Sequence, residues 1–256
     1  MEPWEAALDQ FLQEWREKDC VLGALVCGSY VTGNPSAHSD LDVHIILSED
    51  CDWRERGNRI IDGFLIEYFA NPPGQIGHYF REDHSDNCRD ATTQFATGRV
   101  IFDKIGIIEK LKKEAGEWLA KPLPRLSETV WGLTKYALWD NLDNLQDTCE
   151  QQSPDYLFVY HHTLRRIYEA YARYLGQPVV AFSKQFKCLH QPEEVKRKYL
   201  MEPFPDNEFL EIMLDAITET SAARMTELAG KLTWHVLNQM GGIEVDGWKF
   251  RSPAKK

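Results

Sequence analysis

Two aspartates, Asp40 and Asp42, are the residues of this chain best suited by type and spacing to chemistry. On a strand, side chains alternate, so both would share one face. Their Cα atoms would lie about 6.6 Å apart, at about 3.3 Å of rise per residue. Carboxylates that close repel and raise each other's pKa unless a cation lies between them. Mg²⁺ suits the gap: it takes oxygen ligands at about 2.0–2.1 Å and is commonly held by one or two carboxylates plus phosphates. The pair could grip two such ions about 3.5–4 Å apart, the spacing used for in-line phosphoryl displacement. Upstream, Gly28-Ser29 ends an apolar run. Gly28 lets a phosphate approach the backbone, Ser29 offers a hydroxyl, and the loop amides that follow can cradle anionic oxygens. Nine residues, Tyr30 to His38, separate that pair from Ser39, which leads into the first aspartate. A third acid, Glu67, stands between Ile66 and Tyr68 in an apolar stretch. Burying it without a partner is costly. If its strand runs beside the Asp40–Asp42 strand, three carboxylates converge.

The surrounding pattern supplies the elements to hold these groups. Trp4, Leu8, Phe11, Leu12 and Trp15 recur at spacings of three and four and predict a helix. Val21 to Val26, closed by Gly28, reads as a buried strand. Leu41 to Leu47 is a strand with Leu41, Val43, Ile45 and Leu47 on one face and Asp42 and His44 on the other. Phe64 to Phe69 is a third strand, stopped by Asn71-Pro72-Pro73-Gly74. Residues 75–120 read as mainly helical, with strand signals ending near residue 70. Two prolines in Lys121-Pro122-Leu123-Pro124-Arg125 mark a domain boundary. Beyond it, helix starts stand at Ser127, Ser153-Pro154-Asp155, Asp206 and Ser221, and stops at Gly176 and Gly241-Gly242. The expected fold class is α+β: a mixed β-sheet with flanking helices, followed by an all-α bundle. The domains expected are 1–122 and 123–256.

Gly-Ser, a loop, Asp-x-Asp and a third acid on a later strand together resemble the DNA polymerase β-type nucleotidyltransferase superfamily. The chain length and appended helical part look like the aminoglycoside and lincosamide nucleotidyltransferases. The close match covers about residues 21–70. Ala96 to Asp103 resembles the strand that follows the acids in such enzymes. The resemblance implies that Asp40, Asp42 and Glu67 are catalytic and hold metal, two Mg²⁺ ions being expected. It implies that Gly28 and Ser29 hold the nucleoside triphosphate and that Ser39 supports the site. Many relatives carry Asp where Glu67 stands. The implied reaction moves a nucleoside monophosphate, most often AMP from ATP, to an acceptor hydroxyl and releases pyrophosphate. Residues 1–122 would then bind NTP and metal, and 123–256 the acceptor. Lys184, which follows Gly176 and Pro178, could reach the triphosphate from the helical part. Glu67 is the leading general base, with an acid from the helical part as alternative.

Charge and composition narrow the field. Lys and Arg number 29 against 40 Asp and Glu, a net charge of −11. That argues against non-specific nucleic-acid binding, which needs a basic face, and suits a cationic acceptor. No apolar run reaches 18 residues, so no membrane span is expected. The acidic start has no signal-peptide pattern, and six cysteines form no CxxC pair, which reads as a reducing cytoplasm. There is no GxxxxGK[ST], no GxGxxG after a strand and no HExxH. A homodimer is left open. Two other readings compete: AMP transfer to a protein acceptor, as in toxin–antitoxin systems, and a degenerate nucleotide-binding or interaction protein. Elsewhere the plain readings are preferred. Asp140, Asp143 and Asp147 read as a solvated helix face and the tyrosines from Tyr156 to Tyr174 as core. His161 and His162 point to different faces, and His44, on the Asp42 face, is a candidate supporting residue.

Overall fold

The structure, a computed structural model, describes residues 2–33 and 35–251. The chain divides into two compact units. One contains the residues up to Leu123 together with Glu193–Met201; the other contains Pro124–Pro192 and the residues from Glu202 on.

The first unit is α+β. Helix α1 (Pro3–Arg16) precedes β1 (Val21–Cys27), a single turn α2 (Ser29–Thr32), β2 (Leu41–Leu47), β3 (Glu55–Ile61) and β4 (Phe64–Asn71). Then come α3 (Pro73–Ser85), α4 (Asp90–Thr97), β5 (Arg99–Asp103) and α5 (Ile107–Ala120). The five strands form one sheet in the order β3-β4-β2-β1-β5. β2 and β4 run parallel and every other pairing is antiparallel. Leu8, Phe11, Leu12 and Trp15 of α1 pack on one face, against residues such as Val26, Val43 and Ile45. The other face, carrying Leu25, Cys27 and Ile46, is covered by Ile76 and Phe80 of α3, Phe95 of α4, and Ile108 and Leu111 of α5. Asp42 and His44 alternate with Val43 and Ile45, so they look out on this second face.

Two strands depart from the sequence reading. β3, Glu-Arg-Gly-Asn-Arg-Ile-Ile, is exposed along most of its length and has no alternation of its own. It forms because Asp62 and Gly63, with φ of 50° and 83°, make a tight turn that folds it back on β4. Asp-Gly is the residue pair that such a hairpin turn favours. β5 interrupts the stretch read as mainly helical, pairing as an edge strand with β1. It falls within the Ala96–Asp103 segment where the resemblance implied a strand.

The second unit is helical. It contains α6 (Glu128–Glu150), α7 (Tyr156–Tyr174), α8 (Phe182–His190), α10 (Asn207–Thr218) and α11 (Ala222–Gln239), while most of α9 (Pro192–Tyr199) packs with the first unit. Ser127, Asp206 and Ser221 stand at the N-caps of α6, α10 and α11, as the start signals predicted, whereas α7 is capped at Asp155, two residues beyond the Ser153 at which cap-then-proline placed its start. Tyr160, Tyr168 and Tyr171 are core residues, among Leu164, Phe209 and Leu232. Among the described residues no helix is long and apolar enough to cross a membrane. Among the described residues no cysteine is in a disulfide.

Asp206 ties this unit together. Its carboxylate accepts from the Phe209 amide at 2.9 Å, from His235 Nε2 at 2.7 Å and from the Tyr171 hydroxyl. Burial alone would raise its pKa, but these donors outweigh burial and hold it below the ordinary carboxylate value. Asp206→Ala is expected to cost about 2–4 kcal/mol, combining a lost cap and an unpaired tyrosine hydroxyl. The measurement is the urea midpoint as a function of pH. A folded pKa below the unfolded one gives stability that is complete above the unfolded value of about 3.9 and lost as pH falls through the folded value. The gap between wild type and variant should therefore narrow below about pH 4.

Candidate active site

The parallel pairing of β2 with β4 sets Asp42 directly opposite Glu67. Asp40, immediately before β2, lies two residues away on the same face. One potential ligand atom from each of Asp40, Asp42 and Glu67 lies within 4.8 Å of the other two. All three residues are half-buried. Three carboxylates at this spacing form a strongly negative focus, and their mutual repulsion favours a bound cation. The donor set is oxygen only, which fits a hard ion such as Mg²⁺. The nearest soft ligand does not join it. Cys27 donates its Sγ–H to the Asp42 backbone carbonyl at 3.7 Å, and burial, then the charges of Asp42 and Asp40, pushes its thiol far above the ordinary range.

Gly28 abuts the acids. Its φ is 79° and its ψ −160°, a region open essentially to glycine alone. A Cβ built there would sit 2.2 Å from Asp42 Oδ2. The missing side chain thus gives the carboxylate its space. Ser29, 8% exposed, opens the α2 turn, which is closed by Thr32 N–H and Thr32 Oγ1 donating to the Gly28 carbonyl at 3.1 Å each. Ser39 secures the approach to Asp40: its Oγ accepts from the Ser36 amide at 2.8 Å, and its own amide donates to the Ser36 carbonyl at 3.0 Å.

Arg56, which the sequence reading did not single out, joins this group. It lies on β3 opposite Phe69 and stacks over that ring at 4.8 Å. Its Nε and Nη2 donate to Glu67 Oε1 at 3.2 and 2.6 Å. Glu67 therefore has the partner that its place in an apolar strand requires. The sequence signal that would have found Arg56 is Asp62-Gly63, which makes β3 a strand and carries Arg56 to β4.

Along the same face the sheet forms one wall of a cavity of about 730 Å³. His44 and Phe69, each two residues on from Asp42 and Glu67, line it with Arg56, Asn71, Tyr79 and Gln94. His44 is buried against Phe69 and Phe95, its Nε2 3.1 Å from Gln94 Oε1. Burial lowers its pKa to about 4, against the opposing effect of the Gln94 hydrogen bond, so it is neutral near pH 7. Glu55, Glu82, Asp83, Asp86 and Asp90 stand around the cavity against two arginines, Arg54 and Arg56.

The remaining candidates lie in the second unit. Lys184 is exposed on α8. Asp140 and Asp147 bond to Asn144 and Gln151 on their own helix or at its end.

No protein-family model matches this chain, and no curated protein matches it in sequence. Among solved structures it is similar to a nucleotidyltransferase-like protein from Exiguobacterium sibiricum 255-15. The two are 14% identical, with a TM-score of 0.45, over 92% of this chain and 75% of that one. A likeness at that level bears on no residue's role.

Proposed function

We propose that this protein is a Mg²⁺-dependent nucleotidyltransferase. It moves a nucleoside monophosphate, AMP from ATP in the simplest case, to a hydroxyl of a small acceptor such as an aminoglycoside or lincosamide antibiotic. The observation that carries this reading is the meeting of Asp40, Asp42 and Glu67 within 4.8 Å, beside a glycine without which Asp42 could not keep its place. Those three residues would hold the metal. When bound, Mg²⁺ neutralises charge that develops on the phosphates.

The chain's own groups divide the remaining work. Gly28 and Ser29 receive the triphosphate, and Ser39 fixes the loop that delivers Asp40. The acceptor oxygen forms a bond to the α-phosphorus, the bond to the bridging oxygen breaks, and pyrophosphate leaves. The hydroxyl proton passes to a carboxylate, for which Glu67 is the leading candidate. Arg56 donates to Glu67 Oε1 from both Nε and Nη2 and so orients its carboxylate. The acceptor fits the 730 Å³ cavity, which lies on the Glu67 side of β2, away from Gly28 and Ser29. Its volume is within the range of small-molecule sites, about 300–1,000 Å³. The excess of acids around it suits an acceptor bearing amines. The helical unit would contribute acceptor selection, and Lys184 a further cation for the nucleotide.

The test is pyrophosphate release with each NTP and Mg²⁺ against aminoglycosides, lincosamides and buffer alone. Release that depends on one acceptor establishes the transfer and names the substrate class. NTP binding with no acceptor-dependent release, joined to AMP appearing on a polypeptide in lysate, moves the reading to a protein acceptor. Absence of NTP binding overturns it in favour of an interaction protein.

A further inference from the structure

The segment Glu193–Met201 packs with the first unit although the chain on both sides of it belongs to the second. It comprises most of α9, anchored by the buried Val195 and by the Tyr199 carbonyl, which accepts from Thr93 Oγ1 at 3.4 Å. The last turn of α9 carries Lys196, Arg197 and Lys198. Arg197 reaches the loop after Gly28-Ser29: its Nη2 donates to the Gly33 carbonyl at 3.2 Å. Gly33 closes the one-turn helix that starts at Ser29. The guanidinium thus meets the far end of the single turn that Gly28 and Ser29 open.

From this placement we infer that Arg197 binds the phosphate chain of the nucleotide. The inference rests on the nucleotidyl-transfer reading and names a residue that serves it. A triphosphate brought to three carboxylates needs positive charge from the protein as well as from metal. Arg56 is engaged by Glu67, on the far side of β2 from Gly28. Arg197 is on the Gly28 side, exposed, and among the described residues its guanidinium meets a carbonyl rather than a carboxylate. A guanidinium presents five donors in a planar fork that matches phosphate oxygens. Exchanging a neutral carbonyl for a phosphate gives a charge-assisted and stronger bond.

The experiment is calorimetric binding of a non-hydrolysable ATP analogue with Mg²⁺ to the full chain. Arg197→Gln is expected to weaken binding about 10- to 100-fold, and Arg197→Lys by less. AMP, which lacks the β- and γ-phosphates, should lose at most about threefold. Lys113→Gln, an exposed charge on α5, controls for the change in net charge and should stay within about twofold. In turnover, KM for the NTP rises while kcat and KM for the acceptor hold. Equal affinity of wild type and a folded Arg197→Gln overturns the inference and leaves the transfer reading standing. Should Arg197→Gln not fold, Arg197→Lys decides: unchanged analogue affinity together with unchanged KM overturns it. Failure of the wild type to bind the analogue overturns the transfer reading, and the inference falls with it.

Discussion

Asp42→Asn is expected to lower nucleotidyl transfer by roughly 10³-fold or more, about 4 kcal/mol of barrier, while leaving the fold intact. The substitution keeps the shape of the side chain and removes a charge that both faces Glu67 across the β2–β4 pair and shares a face with Asp40. The carboxylate is half-buried at the end of the sheet and belongs to none of the hydrophobic clusters. Its far-UV spectrum should therefore match that of the wild type. Pyrophosphate release at saturating Mg²⁺ and NTP is the measurement. A second readout isolates the metal: Mn²⁺ binding by calorimetry should weaken in the same variant. Full turnover by folded Asp42→Asn would remove the carboxylates from the chemistry and with them the proposed function.

Gly28→Ala carries the second-largest expected effect, and it separates strain from collision. A methyl at this position would stand 2.2 Å from Asp42 Oδ2, so the carboxylate must rotate away from Asp40 and Glu67. A misplacement of about 1 Å in a reacting constellation can cost about 10²-fold in rate. The backbone adds its own cost, because an alanine at φ 79° and ψ −160° is held in a conformation that costs about 1–3 kcal/mol. The thermal midpoint should drop by roughly 3–10 °C for a domain of this size. Gly63→Ala supplies the comparison. Gly63 also has a positive φ, 83°, but no atom lies within 4 Å of where its Cβ would be. It should lose stability without losing turnover. If Gly28→Ala lost stability alone, Gly28 would be a turn residue with no part in the site.

Much of the site could be read directly because its logic is local. Gly28-Ser29 and Asp40-x-Asp42 are defined by neighbours along the chain, and the alternation of Leu41 to Leu47 assigns each aspartate a face. The helix starts at Ser127 and Asp206 are local too, since each side chain accepts from the amide three residues ahead. β3 was harder. Strand periodicity reports burial of one face, and β3 at the sheet edge buries little. Its only local mark was the Asp62-Gly63 turn.

What the sequence determined by itself was therefore the α+β class, the helical second half, and the identity and spacing of the Gly-Ser and Asp-x-Asp groups. Three matters were decided by tertiary structure alone. The register of β2 with β4 set Glu67 against Asp42, a parallel pairing between strands separated by a whole hairpin arm. The β3 hairpin brought Arg56 to Glu67, so the third acid acquired a cation from a strand that periodicity did not mark. The packing of Glu193–Met201 with the first unit set Arg197 beside Gly33, 164 residues away in the chain. Each depends on contacts between distant segments. Periodicity says which face of an element will be buried, but the partner it meets is chosen by packing of the whole chain.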